Sequence, residues 1–307
     1  MRVNFFKALE NKAVLHKNIY LLTGDLGFKL FDDFKAKHPD RFFDIGVAES
    51  NMIGIAAGLS LSGKNVYCYS IIPFLIMRTY EHVRNDVAYQ NLNIKLIGTG
   101  GGFTYGLEGF THYGLEDLAI MRTLPNMAVV VPADPLEAKS LAEASVEHVG
   151  PIYIRLGRTG EPVVHDKPFE FRIGHPIILK EGKDIAILAI GNMVHTAKEV
   201  VEKLKQKGIA AMLVNMHTLK PLDKEMIQDL SITHSSIFTV EEHYINGGLG
   251  SAVAEVLIDS GFKGKLTRIG IPDNPDKHIG NAEYLRSQYG LTADSIFKRI
   301  LDALKEK

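Results

Sequence analysis

The feature that most constrains the fold is a regular alternation of short β-rich runs with helical patterns. The strand candidates in the first half of the chain cover 19–23, 42–45, 66–70, 94–98, 128–131 and 152–155. The helix candidates between them cover 52–62, 74–89, 116–123 and 135–149. Strands separated by helices at this spacing predict a mostly parallel sheet with helices on both faces.

A change of composition after Arg158 divides the chain. The stretch that follows is rich in proline and charge, and it predicts an interdomain connection over 163–180. The alternation then resumes, with strand candidates at 185–190, 210–215, 236–240 and 266–270 and helix candidates at 196–206, 224–230 and 250–260. A length of 307 residues suits two domains of roughly 150 residues each. We therefore predict an α/β protein with domains over 1–162 and 181–307, each a mostly parallel sheet flanked by helices.

The composition argues against several classes of partner. A net charge of −1 gives no bulk signal for binding nucleic acid or a membrane surface. The one cysteine, Cys68, lies in an apolar run, which argues against a disulfide framework and favours a reducing compartment. The N-terminal stretch lacks the apolar region of a signal peptide, and no apolar run approaches the ~20 residues of a membrane span. We expect a cytoplasmic protein.

An isolated acid, Glu49, lies between a β-like run and a helix of small residues, in the segment FFDIGVAESNMIGIAAGLSLSG. One interpretation is an acid in the first turn of a helix, stabilised by free backbone amides and by the helix dipole. The other is a functional acid, because the small residues around it allow a ligand to approach the backbone closely.

Three further segments carry residues that can do chemistry. The loop GLEGFTHYG holds Glu108 and His112, either as part of a binding wall or as ordinary loop residues near a helix start. In IRLGRTGEP, Arg155 and Arg158 follow a strand, where ligands bind in open α/β sheets, although a surface arginine pair is equally compatible. The segment VEEHYINGGLGSAVAEVL lacks a full phosphate-binding fingerprint, so GGLGS predicts a tight turn with close helix–strand packing.

These motifs, taken in order, resemble the transketolase family over nearly the whole chain. DRFFDIGVAESNMIGIAAGLSLSGK is similar to the family's segment with a glycine, a hydrophobic residue and a glutamate, and THYGLEDLAIMRTLPNMAVVVPADPLEA to its TH, LPN and PAD segment. IRLGRTGEP, MHTLKPLD and TVEEHYINGGLGSAVAEVL resemble later parts of the family pattern. The resemblance covers the pyrimidine-binding and C-terminal domains and implies one subunit of a split, thiamine diphosphate-dependent transketolase.

The resemblance also implies roles for individual residues. Glu49 matches the glutamate that hydrogen-bonds N1′ of the aminopyrimidine ring and so activates the cofactor. Phe74 matches the ring that stacks on the pyrimidine, with Tyr69 as a possible second wall. The residues matching substrate contacts are His112, Glu108, Arg158 and, near the family's early phosphate-site arginine, Lys29. Gly100 or Gly101 falls where many transketolases have a further histidine, so the sugar pocket is expected to differ.

No GDG motif followed by an asparagine in a matching context is found in the sequence, so the resemblance assigns the diphosphate and its Mg²⁺ or Ca²⁺ mainly to a partner subunit. The expected assembly is α2β2, with self-association through both domains of this chain, and the expected reaction is two-carbon ketol transfer between sugars or sugar phosphates. Two alternatives within the family are a 2-oxo acid dehydrogenase β subunit and a deoxyxylulose-phosphate synthase-like enzyme. The FTHYG and LPNM segments favour transketolase over the former. A non-catalytic scaffold subunit is the alternative of a different class, and the presence of both Glu49 and His112 argues against it.

Overall fold

The chain folds into two mostly parallel sheets with helices on their faces, which confirms the predicted fold class. The computed structural model describes residues 1–158, 160–274 and 278–305. The strands in this part of the chain are β1 (Ile19–Thr23), β2 (Phe42–Asp44), β3 (Asn65–Ile71), β4 (Ile94–Thr99), β5 (Ala128–Val130), β6 (Ile152–Leu156), β7 (Ile177–Lys180), β8 (Ile185–Ala189), β9 (Ala211–Asn215), β10 (Thr218–Lys220), β11 (Ser236–Tyr244) and β12 (Lys265–Ile271).

The helices surround these strands. They are α1 (Arg2–Leu15), α2 (Asp32–Lys37), α3 (Glu49–Leu61), α4 (Tyr80–His82), α5 (Asp117–Arg122), α6 (Pro135–Glu147), α7 (Met193–Gln206), α8 (Lys224–Thr233), α9 (Leu249–Asp259), α10 (Ala282–Gln288) and α11 (Ala293–Lys305). The helix predicted over 74–89 is instead a short α-helix, α4, between two π-helical turns, Pro73–Met77 and Val83–Ala88. The wider turns are closed by bonds five residues apart, from the amide of Arg78 to the carbonyl of Pro73 and from Tyr89 to Arg84.

The first sheet has the strand order β10-β5-β6-β4-β3-β1-β2, and the second has the order β12-β11-β8-β9-β7. Strands β10 and β7 pair antiparallel at the edges, and the other pairs are parallel. Every residue of β3, β4 and β8 is buried, because helices cover both faces of each sheet. This explains why the strand runs in the sequence are continuously apolar instead of alternating.

One apolar core joins the two halves of the chain. It contains Leu96 and Val129 from the first sheet together with Leu188 and Val214 from the second. Strand β10 comes from the second half in sequence, yet it closes the edge of the first sheet by pairing with β5. Because the halves share a sheet and a core, the domain limits 1–162 and 181–307 stay a prediction.

The sequence interpretation located most of the central elements and missed several peripheral ones. It did not include α1, α2, α10, α11 or the short strand β10, and it left β7 inside the expected connection. Helix α3 begins three residues earlier than predicted, so that Glu49 is its first residue. Strand β11 runs four residues further than predicted and includes Glu241, Glu242 and His243. In the described part of the chain, no helix is both long enough and apolar enough to span a membrane.

The shared core predicts a single cooperative unfolding transition. Leu219 of β10 is 2% exposed and belongs to this core, so Leu219→Ala should lower the free energy of unfolding by about 2–5 kcal/mol. Ile232→Ala is the matched control, because Ile232 is 83% exposed and its loss should change stability by less than about 0.5 kcal/mol. Calorimetry of both variants checks this. Two separate transitions, with only one of them shifted by Leu219→Ala, would contradict the shared core.

Candidate active site

The candidate residues lie on loops at one edge of the first sheet. The loops after β1, β4 and β6 all leave the carboxyl ends of parallel strands, and α3 begins shortly after the carboxyl end of β2. Ligands of open α/β sheets bind in crevices at this edge. The topology therefore brings together the segments that carry Glu49, His112 and Arg158.

Glu49 is a buried carboxylate with two hydrogen-bond partners. Its side chain is 1% exposed at the start of α3. Ser70 donates its hydroxyl to Oε1 over 3.2 Å, and the Arg78 guanidinium donates to Oε2 over 2.7 Å. The N-cap residue of α3, Ala48, has no side chain that could accept hydrogen bonds from the first backbone amides of the helix. The Glu49 carboxylate lies in this first turn, where the free amides and the helix dipole favour an anion. Both interpretations of Glu49 from the sequence therefore fit its position.

Two glycine-containing turns support the Glu49 carboxylate. Gly46 has a φ of +74°, which an L side chain rarely adopts, and it lets the chain turn into α3. A Cβ on Gly24 would lie 3.5 Å from Oε1 of Glu49. Asp44 accepts hydrogen bonds from the backbone amides of Asp25 (2.9 Å) and Gly46 (3.0 Å), and so ties the two turns together. The carboxylate of Glu49 is thus held against closely approaching backbone.

An aromatic side chain and a histidine extend the site outward from Glu49. The Phe74 ring is half-buried, and the Cζ of Arg78 lies 4.6 Å from its centroid. The His112 ring meets Phe74 edge to face, with centroids 5.1 Å apart, and its Nδ1 lies 3.0 Å from the Thr111 hydroxyl. The structure thus brings together Glu49, Phe74 and His112, three of the residues proposed from sequence. Sequence reasoning missed Arg78 and Ser70, although Arg78 is a single cation in an otherwise apolar run four residues after Phe74.

Arg158 lies beside Tyr105, whose ring also lies near His112. Its guanidinium carbon is 5.5 Å from the Tyr105 ring centroid, and that ring is 6.4 Å from the His112 ring. Arg158 is exposed and also lines a cleft of about 540 Å³ between the two halves of the chain. Glu49, Phe74 and His112 do not line this cleft, so it is separate from the site around the buried acid.

The remaining candidates, Tyr69, Glu108 and Lys29, make their contacts with residues other than Glu49. Tyr69 is 1% exposed and packs edge to face against Phe6 and Phe31, and its hydroxyl accepts a hydrogen bond from Arg2 over 3.3 Å. It belongs to the core on the sheet face opposite to the one that carries Ser70 and Cys68. Glu108 is exposed at the end of a 3₁₀ turn, and Lys29 is exposed with its ammonium 5.6 Å from the Phe28 ring centroid.

Arg155, by contrast with Arg158, is buried between the halves. Its guanidinium donates to the carbonyls of Gly114 (2.9 Å) and Glu242 (2.8 Å). The Glu242 carboxylate in turn accepts from Arg286 at 2.7 and 3.1 Å and from the Asn192 amide. These buried charges are paired and hydrogen-bonded, as their burial requires. They fix the second domain against the loop that leads to His112.

The GGLGS segment is a close-packed turn, as the sequence predicted. The Glu241 carboxylate accepts hydrogen bonds from the amides of Leu249 (2.7 Å) and Gly250 (2.8 Å) at the start of α9. A Cβ on Gly248 would lie 2.0 Å from Oε2 of Glu241. The N-terminus of α9 is therefore already occupied by a carboxylate and is not free to bind a phosphate. Burial raises the pKa of Glu241 to about 7.

The residues around Glu49 fit the aminopyrimidine end of thiamine diphosphate. They offer a buried carboxylate for a ring nitrogen and an aromatic face for stacking, with close backbone approach at Gly24. The described residues provide a less suitable site for a metal ion. Among the described residues, the group with metal-ligand spacing is Asp134, Glu137 and His165, and its oxygens already accept hydrogen bonds from backbone amides, Asn215 and His165.

The fold and this site define an α/β protein of two sheets, with a buried carboxylate beside an aromatic ring at the carboxyl edge of the first sheet. Residues 2–161 match the model of the transketolase pyrimidine binding domain, and residues 174–296 match that of the transketolase C-terminal domain. The chain belongs to the transketolase family, and its extent is that of the C-terminal subunit of a split transketolase.

Relatives of the same extent support this assignment. The chain is 41% identical over 310 residues to a putative transketolase C-terminal section of Methanocaldococcus jannaschii, covering 100% of this chain and 97% of that one. It is 36% identical over 307 residues to one subunit of the apulose-4-phosphate transketolase of Phocaeicola vulgatus, covering 99% and 97%. A solved structure described as a split gene transketolase, inactive beta4 tetramer, matches with a TM-score of 0.88 at 38% identity over 98% of this chain and 97% of that one.

His243 makes a pH-dependent contribution to stability. Burial lowers its pKa to about 4 from a usual 6.5, while Ala119 donates its amide to Nε2 and the Tyr244 carbonyl lies 2.6 Å from Nδ1. The unfolded chain then binds more protons than the folded one between pH 6.5 and 4, so this contribution is present above pH 6.5 and lost as the pH falls to 4. The full shift corresponds to about 3 kcal/mol.

We therefore expect the stability gap between wild type and His243→Asn to shrink as the pH falls from 6.5 to 4. Asparagine does not titrate in this range, and its side-chain amide keeps a hydrogen-bond donor near the Tyr244 carbonyl. Denaturant unfolding of both proteins at several pH values across this window checks the prediction. A gap of constant size would show that burial of neutral His243 is not linked to the pH dependence.

Proposed function

We propose that this chain is the catalytic subunit, containing the pyrimidine-binding and C-terminal domains, of a two-subunit transketolase. In this proposal it transfers a two-carbon ketol unit between sugars or sugar phosphates, with thiamine diphosphate as cofactor. The observation that carries the proposal is the buried Glu49 carboxylate with Phe74 and His112 beside it, in a chain that matches split transketolase subunits over its whole length.

In this function, the residues of the chain bind and orient the cofactor and the substrate. Thiamine diphosphate, when bound, supplies the carbanion stabilisation that the reaction needs. Glu49 holds a proton at the ring nitrogen N1′, and the Ser70 hydroxyl fixes Oε1 so that the carboxylate keeps one orientation. Phe74 offers its ring face to the pyrimidine. His112 is half-buried beside Phe74, where it can donate a hydrogen bond to a substrate oxygen.

We propose that a partner subunit completes the site and holds the diphosphate and Mg²⁺ or Ca²⁺. Large apolar side chains are exposed on the loops that carry the site, as interaction surfaces require. They are Phe28 (92%), Val47 (73%), Leu107 (72%) and Phe110 (61%). An α2β2 assembly and a cytoplasmic location are part of the proposal.

Glu49→Gln tests the proposed function. The amide keeps the size of the side chain but cannot exchange a proton with N1′, so turnover of the enzyme reconstituted with its partner should fall by about 10²–10⁴. Turnover is measured at saturating thiamine diphosphate and Mg²⁺, so that weaker cofactor binding does not contribute.

Two controls accompany Glu49→Gln. Ser70→Ala keeps the acid and loses only one hydrogen bond to Oε1, so its turnover should fall less than that of Glu49→Gln. The chain without its partner should bind thiamine diphosphate weakly or not at all in a calorimetric titration. Near-normal turnover of Glu49→Gln refutes the role of Glu49, and tight cofactor binding by the chain alone refutes the split site.

Arg158→Ala tests whether the substrate carries a phosphate. A charge-assisted bidentate contact is worth about 1.5–3 kcal/mol, so its loss should raise KM for a phosphorylated ketose by roughly 10–150-fold. A kcat that stays unchanged indicates that the contact is the same in ground and transition states. Arg158→Lys should recover only part of the loss, because an ammonium cannot reproduce the planar fork.

The same assays are run with the dephosphorylated sugar. Arg172→Ala is the matched control, because Arg172 is 66% exposed and is paired with Glu170 in the interdomain connection. If wild type prefers the dephosphorylated sugar and Arg158→Ala changes neither KM, Arg158 has a structural role and the phosphate assignment is wrong.

A further inference from the structure

Arg78 makes two contacts that the proposed function assigns to the cofactor ring. Its guanidinium donates to Oε2 of Glu49 over 2.7 Å. Its Cζ also lies 4.6 Å from the centroid of Phe74, so the same group covers the aromatic ring. In the proposed function, the aminopyrimidine ring bonds Glu49 through N1′ and stacks on Phe74. One side chain of the protein therefore meets both partners of the ring at once.

The Arg78 guanidinium and the aminopyrimidine ring share the chemistry needed to bind the same two protein groups. A guanidinium is a planar, delocalised cation with N–H donors along its edge, and it binds carboxylates and stacks on aromatic faces. An aminopyrimidine protonated at N1′ is also a planar, delocalised cation that presents an N–H to the carboxylate. Both satisfy a buried carboxylate that would be costly to leave unpaired. The two cannot cover the same face of Phe74 together.

The position of Arg78 allows it to leave. Its side chain is 46% exposed, whereas that of Glu49 is 1% exposed. Arg78 follows the π-helical turn Pro73–Met77, and its backbone amide is bound to the Pro73 carbonyl independently of the side chain. Rotation about the side-chain torsions can therefore move the guanidinium into solvent without breaking the helical turn. The flanking side chains Leu75 and Ile76 are buried and hold the backbone in place.

We propose that Arg78 is a displaceable internal occupant of the ring-binding position. This inference rests on the proposed function. Until the ring arrives, Arg78 neutralises Glu49 and covers Phe74 through the two contacts described above. Loading of the cofactor exchanges the guanidinium for the aminopyrimidine ring at both contacts. Arg78 thus weakens and slows cofactor binding, in return for keeping the buried acid paired until the ring arrives.

The test measures cofactor binding and stability in the complex with the partner subunit. Arg78→Ala should lower the Kd for thiamine diphosphate by about tenfold or more and raise its association rate, since no internal group has to be displaced. In the cofactor-free complex the same variant should lower Tm by about 2–4 °C, because Glu49 loses a partner. With saturating cofactor the loss of Tm should disappear. Arg78→Met, which keeps apolar cover over Phe74 without the charge, is the second variant in case the alanine variant folds poorly.

Arg84→Ala is the matched control. Arg84 is exposed on the next π-helical turn, and its guanidinium bonds the Asn85 side chain over 2.8 Å. Its loss should change neither the Kd nor the dependence of Tm on cofactor. If both Arg78 variants weaken cofactor binding or leave it unchanged while wild type binds and turns over, Arg78 supports the cofactor or is irrelevant to it, and the inference alone is overturned. If wild type with its partner binds no thiamine diphosphate, the proposed function fails and the inference fails with it.

Discussion

Apolar side chains from both sheets pack into one core, and the strands whose carboxyl ends carry the candidate site contribute to it. The residues of this core include Val66 and Leu96 of the first sheet and Ala186 and Ile237 of the second. Packing at the density of protein interiors leaves little freedom for the strands to slide, so the loops at their carboxyl ends keep fixed positions. The edge that carries the candidate site therefore lies above a core that both halves share.

Buried charges define what this scaffold can do, and each of them has a specific partner. The Glu242 carboxylate is paired with Arg286 within the second half, and its backbone carbonyl accepts from Arg155 of the first half. Glu241 binds backbone amides and closes the N-terminus of α9. Glu49 differs from both, because it is buried while its cationic partner, the Arg78 side chain, is half-exposed. This half-exposed partner separates Glu49 from the two structural acids and underlies the roles that we propose for Glu49 and Arg78.

The sequence predicted the central architecture well, because buried parallel strands and their crossover helices leave clear periodic signals. The strands around Cys68 and Ile187 are continuous apolar runs with turn residues at both ends. The segment after Pro73 could not be predicted in detail, since α and π turns differ by one residue in their hydrogen bonds and share the same apolar residues. Within the candidate site, Glu49 and His112 were proposed from motif resemblance. The ion pair between Glu49 and Arg78 depends on three-dimensional packing that no local pattern encodes.

The antiparallel pairing of β10 with β5 also limits how this chain can evolve. A gene break or a recombination between the two halves would remove the strand that covers the edge of the first sheet. The exposed edge of β5 would then present unpaired amides and carbonyls to other chains, a known route to aggregation. A break between the two halves is therefore costly, because each half would lose part of a structure that the other supplies.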